Sequence, residues 1–150
     1  MQFEIVEEHE DGGEVSAEIR RGIREADPPQ VGPRNWAPFC LSLRDAAGTL
    51  VGGLYGATTW GWLLVDGLWV AEGLRRRGLG SRLLAAAEEA AIARGCRGAW
   101  LGTFDFQARE FYELHGYRVF GALPDFPPGH THFELWKALT PSKLTERALG

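Results

Sequence analysis

The sequence predicts an α+β fold in which helices flank a mixed, mostly antiparallel sheet. Three strand-like segments joined by short turns follow one another, which is typical of an antiparallel meander. The segment 62–104 then reads as strand, helix and strand, an order that requires parallel pairing and a right-handed crossover. Two further strand-like segments, separated by a turn-rich loop, follow a short helix near the end of the chain.

Composition indicates an ordinary globular protein. The 150 residues are 45% hydrophobic and 24% charged, with a formal net charge of −4. This length can bury a core, so we expect a single domain over residues 1–150. The acidic balance gives no reason to expect nucleic-acid binding, and Cys40 and Cys96 are too few and too far apart to indicate a disulfide framework. No signal peptide or membrane-spanning run is visible, so a cytoplasmic location is expected.

Apolar residues recur at two different spacings in the first half of the chain, and these spacings predict its elements. Residues 2–8 alternate between apolar and charged, which predicts a first strand. Residues 14–26 carry apolar side chains at four-residue spacing, which predicts an amphipathic helix that the following double proline ends. The three strands of the meander are predicted at 39–43, 50–57 and 62–70.

The second half begins with the crossover helix. It is predicted from residue 79 to residue 94, with Gly95 as its C-terminal cap. A polar tail, or a short helix, is expected over 141–150. Between them we expect a strand at 99–104, a short helix at 107–115 and strands at 117–121 and 131–139.

The tryptophans of the predicted strands form another group. Trp60, Trp62, Trp69, Trp100 and Trp136 all lie in strand-like segments. Because no basic stripe accompanies them, we expect them in the core and in pocket walls rather than in a platform that stacks nucleic-acid bases.

A glycine-rich basic turn joins the last strand of the meander to the crossover helix. Here Arg75, Gly78 and Gly80 precede backbone N–H groups that have no partner inside the helix, and the helix dipole adds positive potential. Such a turn favours an anion, usually a phosphate. Leu79 stands where a P-loop requires lysine, and Leu83 stands where a dinucleotide fingerprint requires glycine. A solvated arginine patch remains the alternative.

The spacing Arg-x-x-Gly-x-Gly resembles the pyrophosphate-binding motif of the GCN5-related N-acetyltransferases, the GNAT superfamily. A second block, from Asp105 to Tyr117, resembles the family pattern Asn-x-x-Ala followed by Tyr-x-x-x-Gly-Phe/Tyr, with Asp105 where asparagine is more usual. The order of elements resembles the GNAT fold over nearly the whole chain. The resemblance implies a central sheet of six to seven strands that splays between the fourth and fifth strands.

The resemblance also implies an activity and a donor. It implies an N-acetyltransferase in which a primary amine of a small molecule or protein attacks acetyl-CoA, the acyl-donor co-substrate, directly in a ternary complex. The backbone of residues 76–81 would hold the diphosphate, the splayed strand end would pair with the pantetheine amides, and Asp105 would contact a neutral part of the donor. The implied donor-binding residues are Leu68, Trp69, Val70, Arg75, Arg76, Arg77, Gly78, Leu79, Gly80, Ser81, Asp105 and Phe111.

Two residues are candidates for the chemistry. Tyr112 matches the family tyrosine that protonates the leaving sulfur; a buried structural tyrosine is the alternative. Asp66 shares strand parity with Leu68 and Val70, so its carboxylate is expected to face the cleft and to take the ammonium proton, directly or through water. The alternative for Asp66 is a carboxylate at a strand bulge or turn.

His130 and His132 lie on one face at the start of the last predicted strand. No third ligand is near them in sequence, so we expect no metal site. They are expected to line the acceptor pocket, or a subunit contact, together with Asp125 and Phe126.

Two other functions stay open at this point. One is a catalytically silent sensor of the same fold that binds acyl-CoA, and the other is a structural interaction domain. The acceptor itself cannot be read from the sequence. Dimerisation is common in the family, so a homodimer is a further expectation.

Overall fold

The computed structural model describes residues 1–9 and 12–139. The predicted tail at 141–150 lies outside these residues. The chain divides into two compact units, Met1–Pro33 and Arg34–Gly150. A single domain over the whole chain stays a prediction.

Helix α1 (Glu14–Glu25) lies in the first unit and confirms the predicted helix. The strand predicted at 2–8 is wrong, because these residues form no strand. Phe3 and Ile5, which suggested it, are 85% and 100% exposed. Alternation alone does not make a strand, since the backbone groups of a strand also need a neighbour to bond.

The second unit is built on six strands in the order β1-β2-β3-β4-β6-β5. The β3–β4 pair is parallel and the other pairs are antiparallel, so the predicted mixed sheet is confirmed. The strands are β1 (Ala37–Arg44), β2 (Leu50–Thr59), β3 (Trp62–Val70), β4 (Gly98–Phe104), β5 (Arg118–Pro124) and β6 (Thr131–Ala138).

Two α-helices of the described residues accompany this sheet. Helix α2 (Leu79–Ala93) forms the crossover between β3 and β4, and α3 (Arg109–Leu114) follows β4. Leu84 of α2 packs with Leu63, Leu101 and Leu135 of the sheet in one fully buried cluster. Burying each leucine contributes roughly 1.5–3 kcal/mol, so this cluster fixes α2 on the sheet. In the described part of the chain, no helix is long and apolar enough to cross a membrane.

The sheet splays between β3 and β4. These strands pair only from Trp62 to Val65 on β3 and from Gly98 to Leu101 on β4. Beyond this point no strand among the described residues pairs with this edge of β3. The prediction numbered these two strands fourth and fifth because it counted a strand at 2–8. The predicted splay between them is confirmed, and only their numbers change. The β2–β3 register skips Asp66, and a bulge of this kind bends its strand where the pairing with β4 ends.

The tryptophans lie outside the core in which they were expected, although Trp69 lines a cleft, as expected of a pocket wall. Trp60, Trp69 and Trp100 are 37%, 50% and 38% exposed, and no tryptophan belongs to the buried core of the described residues. On β4 the burial alternates, so that Ala99 and Leu101 face the core while Trp100 lies on the opposite face. Strand parity, rather than side-chain size, decides which of these residues is buried.

Candidate active site

The splay opens a cleft of about 1440 Å³. The free end of β3, the turn before α2, the first residues of α2, the end of β4 and helix α3 line this cleft. Every donor-binding or catalytic residue predicted from the sequence lines it, except Arg77. Two motifs that are separate in sequence therefore meet at one opening.

The turn before α2 presents backbone donors at one end of the cleft. Gly78, the residue before the helix, has φ +74°, and Arg76 has φ +64°. In this left-handed conformation the chain enters the helix abruptly. The first helical bond runs from the amide of Arg82 to the carbonyl of Gly78 (3.1 Å), and within the described chain the amides of 76–81 donate no hydrogen bond. These amides are therefore free to bind an anion.

Arg75 ties this turn to the end of β3. Its Nε donates a hydrogen bond to the carbonyl oxygen of Val70 (3.1 Å). The arginine that opens the motif thus bonds the protein's own backbone and shapes the turn. Arg76 and Arg77 are exposed on the same turn, where they add positive charge.

Gly80 lies beneath an aromatic ring. A Cβ built on this glycine would lie 3.5 Å from the ring of Phe111 and 3.8 Å from Leu68. Next to it, the hydroxyl of Ser81 lies 2.9 Å from Nε2 of His115, whose ring also packs against Phe111 (4.7 Å). The sequence analysis did not single out His115. Its only signal in the sequence is its place in the second block, directly before Gly116, the glycine of the family pattern.

Asp105 lines the cleft, but its carboxylate is bonded to the protein. Oδ1 lies 2.9 Å from Nδ1 of His130, and Oδ2 accepts the amide of Thr131 (3.0 Å). Desolvation raises the pKa of Asp105, but the bond from Thr131, the contact with His130 and the amide of Phe106 outweigh it and lower the pKa. The aspartate therefore joins the end of β4 to the start of β6.

Tyr112 is buried and stands on the cleft wall between Phe111 and Tyr117. Burial raises the pKa of its phenol above the ordinary value of 10.0. The hydroxyl therefore stays protonated at neutral pH, and it forms no hydrogen bond with the rest of the described chain. Tyr112 therefore brings a protonated phenol to the cleft wall.

Asp66 is exposed and lines the cleft at the bulge of β3. The parity argument that placed it there is wrong, however. Val65 belongs to the core and Leu68 packs against the same core, so the inward face changes from odd to even residues at the bulge. Asp66 reaches the cleft because it is the extra residue of the bulge, not because it alternates with Leu68.

The two histidines of the last strand have different surroundings. His130 is bonded to Asp105, whereas the ring of His132 packs between Phe104 (4.7 Å) and Phe126 (5.7 Å). Among residues 1–9 and 12–139, no three histidine, cysteine or acidic side chains cluster in a way that could hold a metal ion.

Comparisons with known proteins agree with this architecture. The acetyltransferase (GNAT) family model matches residues 7–117. Blasticidin-S acetyltransferase of Streptomyces morookaense is 46% identical over 121 residues, which cover 80% of this chain and 84% of that protein. An acetyltransferase of Agrobacterium fabrum is 38% identical over 91 residues, covering 61% of this chain and 66% of that protein. The crystal structure of an acetyltransferase from Bacillus cereus superposes with a TM-score of 0.79 at 31% identity, covering 91% of this chain and 97% of that one.

A splayed sheet with free amides before its crossover helix, together with these matches, defines an acyltransferase. The chain belongs to the acetyltransferase (GNAT) family, and the family assignment made from the two motifs is confirmed.

Proposed function

We propose that the protein transfers the acetyl group of acetyl-CoA to a primary amine, by direct attack in a ternary complex. The observation that carries this proposal is the run of unbonded amides at 76–81, at the end of a cleft that passes through the splayed sheet. A diphosphate needs such donors, and a linear thioester arm needs such a cleft.

The residues present fit the donor. The amides of 76–81 would hold the diphosphate, and Arg76 would add charge beside them. Gly80 has no side chain, so the arm can pass beneath Phe111, while the free β3 edge from Leu68 to Val70 offers backbone groups for the pantetheine amides. When bound, acetyl-CoA supplies an activated acetyl group. The strand amides would polarise its carbonyl and stabilise the oxyanion that develops there.

Two side chains have proposed roles in the chemistry. The hydroxyl of Tyr112 donates a proton to the departing sulfur, which its burial and its lack of another partner support. Asp66 is proposed to attract the cationic amine and to accept its proton, directly or through water. Its exposure at the cleft supports this role, although the strand parity that first suggested it does not.

For the acceptor, we propose a small-molecule amine rather than a protein. The relative that is 46% identical acts on blasticidin S, and this compound is the first acceptor to test. Action in the cytoplasm and assembly as a homodimer are proposed on the family likeness alone.

The test measures free thiol release from acetyl-CoA with blasticidin S and with a panel of primary amines, and identifies the products by mass spectrometry. Acceptor-dependent release with one acetyl group added to the amine is expected. Tight binding of acetyl-CoA without acceptor-dependent release for any amine would favour the silent sensor instead.

A further inference from the structure

Gly102, a residue of the cleft wall, has no side chain, and a neighbouring imidazole occupies the space where its Cβ would stand. Gly102 lines the cleft near the end of β4. A Cβ built on it would lie 2.6 Å from Nε2 of His132 and 3.1 Å from Oε1 of Glu134. The β4–β6 register pairs Gly102 with Glu134 and Phe104 with His132, so both side chains project on the face that carries Trp100. The absence of a side chain at Gly102 thus lets the imidazole edge lie against the backbone of Gly102, a residue that lines the cleft.

The imidazole packs between two aromatic rings and lies beside a carboxylate. Its side chain is 18% exposed, between Phe104 and Phe126, and its Nδ1 lies 3.6 Å from Oε1 of Glu134. The other oxygen of Glu134 accepts a hydrogen bond from Nε1 of Trp100 (2.7 Å). In the tautomer that carries its proton on Nδ1, facing this carboxylate, Nε2 is an acceptor. In the described part of the chain Nε2 has no hydrogen-bond partner.

We propose that His132 is the general base of the acetyl transfer, with Glu134 and Trp100 as positioning residues. This assignment rests on the proposed function and competes with Asp66 for one role within it. Histidine is the side chain whose ordinary pKa lies closest to neutrality, which suits a base that works near pH 7. In catalytic sites of this kind, another side chain orients the base, as Glu134 would orient His132 here.

Every proton and bond of the proposed acetyl transfer can be accounted for. Nε2 of His132 takes one proton from the ammonium, and the amine lone pair then attacks the thioester carbonyl. The C–N bond forms and the C–S bond breaks. Tyr112 gives its proton to the departing sulfur, and the nitrogen passes its second proton to the resulting phenolate, directly or through water. His132 returns its own proton to solvent.

Few other titratable groups surround His132. Glu134 is on its own strand, Asp105 directly follows β4, and His130 directly precedes β6. Asp125 lies in the loop that carries Phe126, where its Oδ1 accepts the amide of Gly129. The paired residues on the neighbouring strands, Phe104 and Leu123, carry no titratable group.

The test compares His132→Gln with the wild type in acetyl transfer to the best acceptor from the panel, from pH 6 to pH 9. We expect kcat to fall at least about 100-fold at pH 7, with the KM for acetyl-CoA unchanged. The loss should shrink towards pH 9, because solvent then supplies neutral amine without a base. Glu134→Gln should give a smaller loss with the same pH trend. His9→Gln, a substitution at a histidine that is 78% exposed and far from the cleft in sequence, should behave as wild type.

Several outcomes would overturn the proposal. They are a wild-type kcat and pH profile in His132→Gln, a loss of the same size at every pH, or a pH-dependent loss in Asp66→Asn alone. His132→Asn serves as the second variant if the first does not fold by circular dichroism. A wild type that acetylates no amine would instead refute the proposed function itself.

Discussion

Replacing Gly80 by proline removes one amide donor from the proposed diphosphate site without removing a hydrogen bond that the fold uses. Gly80 is the second residue of α2, and its amide has no partner in the described chain. Proline is tolerated in the first turn of a helix for this reason. A hydrogen bond to a charged group contributes about 1.5–3 kcal/mol. Its loss should therefore raise the Kd of acetyl-CoA by about 10- to 150-fold.

Isothermal calorimetry with acetyl-CoA measures this change, and Gly80→Ala is the matched control. The added methyl group would make ordinary contacts, 3.5 Å from Phe111 and 3.8 Å from Leu68, while the amide donor stays in place. Thermal melts of both variants establish that they fold. If folded Gly80→Pro binds acetyl-CoA as tightly as Gly80→Ala does, the amide-donor reasoning is refuted.

Three further predictions concern the chemistry and the stability of the fold. Tyr112→Phe should lower kcat by about 100-fold and leave the Kd of acetyl-CoA unchanged in calorimetry, so an unchanged kcat would remove Tyr112 from the mechanism. Desolvation raises the pKa of Asp105, but the bonds from Thr131 and Phe106 and the contact with His130 outweigh it and hold the pKa below 3.8. Wild type should therefore be more stable than Asp105→Asn above pH 3.8. That advantage should vanish as the pH falls through the lowered pKa. Urea unfolding midpoints of the two proteins, measured against pH, should therefore converge at low pH. A difference that does not change with pH would contradict the prediction. In Gly56→Ala the new Cβ would lie 1.8 Å from the carbonyl oxygen of Leu64, so the β2–β3 pair must open and the Tm should fall by about 2–12 °C. Gly73→Ala, whose Cβ would meet nothing within 4 Å, is the control, and equal melts for the two variants would contradict the reasoning.

The strand–turn–helix unit was predictable because its signals are local. Glycine spacing, a strand-like apolar run and helical periodicity all lie within residues 62–94, and the observed β3 and α2 match them closely. The crossover topology followed from the order of these elements alone. The strand at 2–8 failed because alternation cannot reveal whether a neighbouring strand is available.

The finer features of the site depend on register between segments far apart in sequence. The bulge at Asp66 exists only in its pairing with β2, so counting alternate residues along β3 could not detect it. The hydrogen bond from Trp100 to Glu134 likewise depends on the β4–β6 register. Sequence patterns predicted which segments form the cleft, whereas the contacts between side chains in its wall required the structure.

The central claim is that the amides of 76–81 bind the diphosphate of coenzyme A. A crystal structure of the protein with acetyl-CoA tests it most directly. The account predicts diphosphate oxygens within about 2.7–3.2 Å of these amide nitrogens, with the thioester arm lying in the gap between β3 and β4. A diphosphate bound elsewhere, with these amides still unbonded, would contradict it.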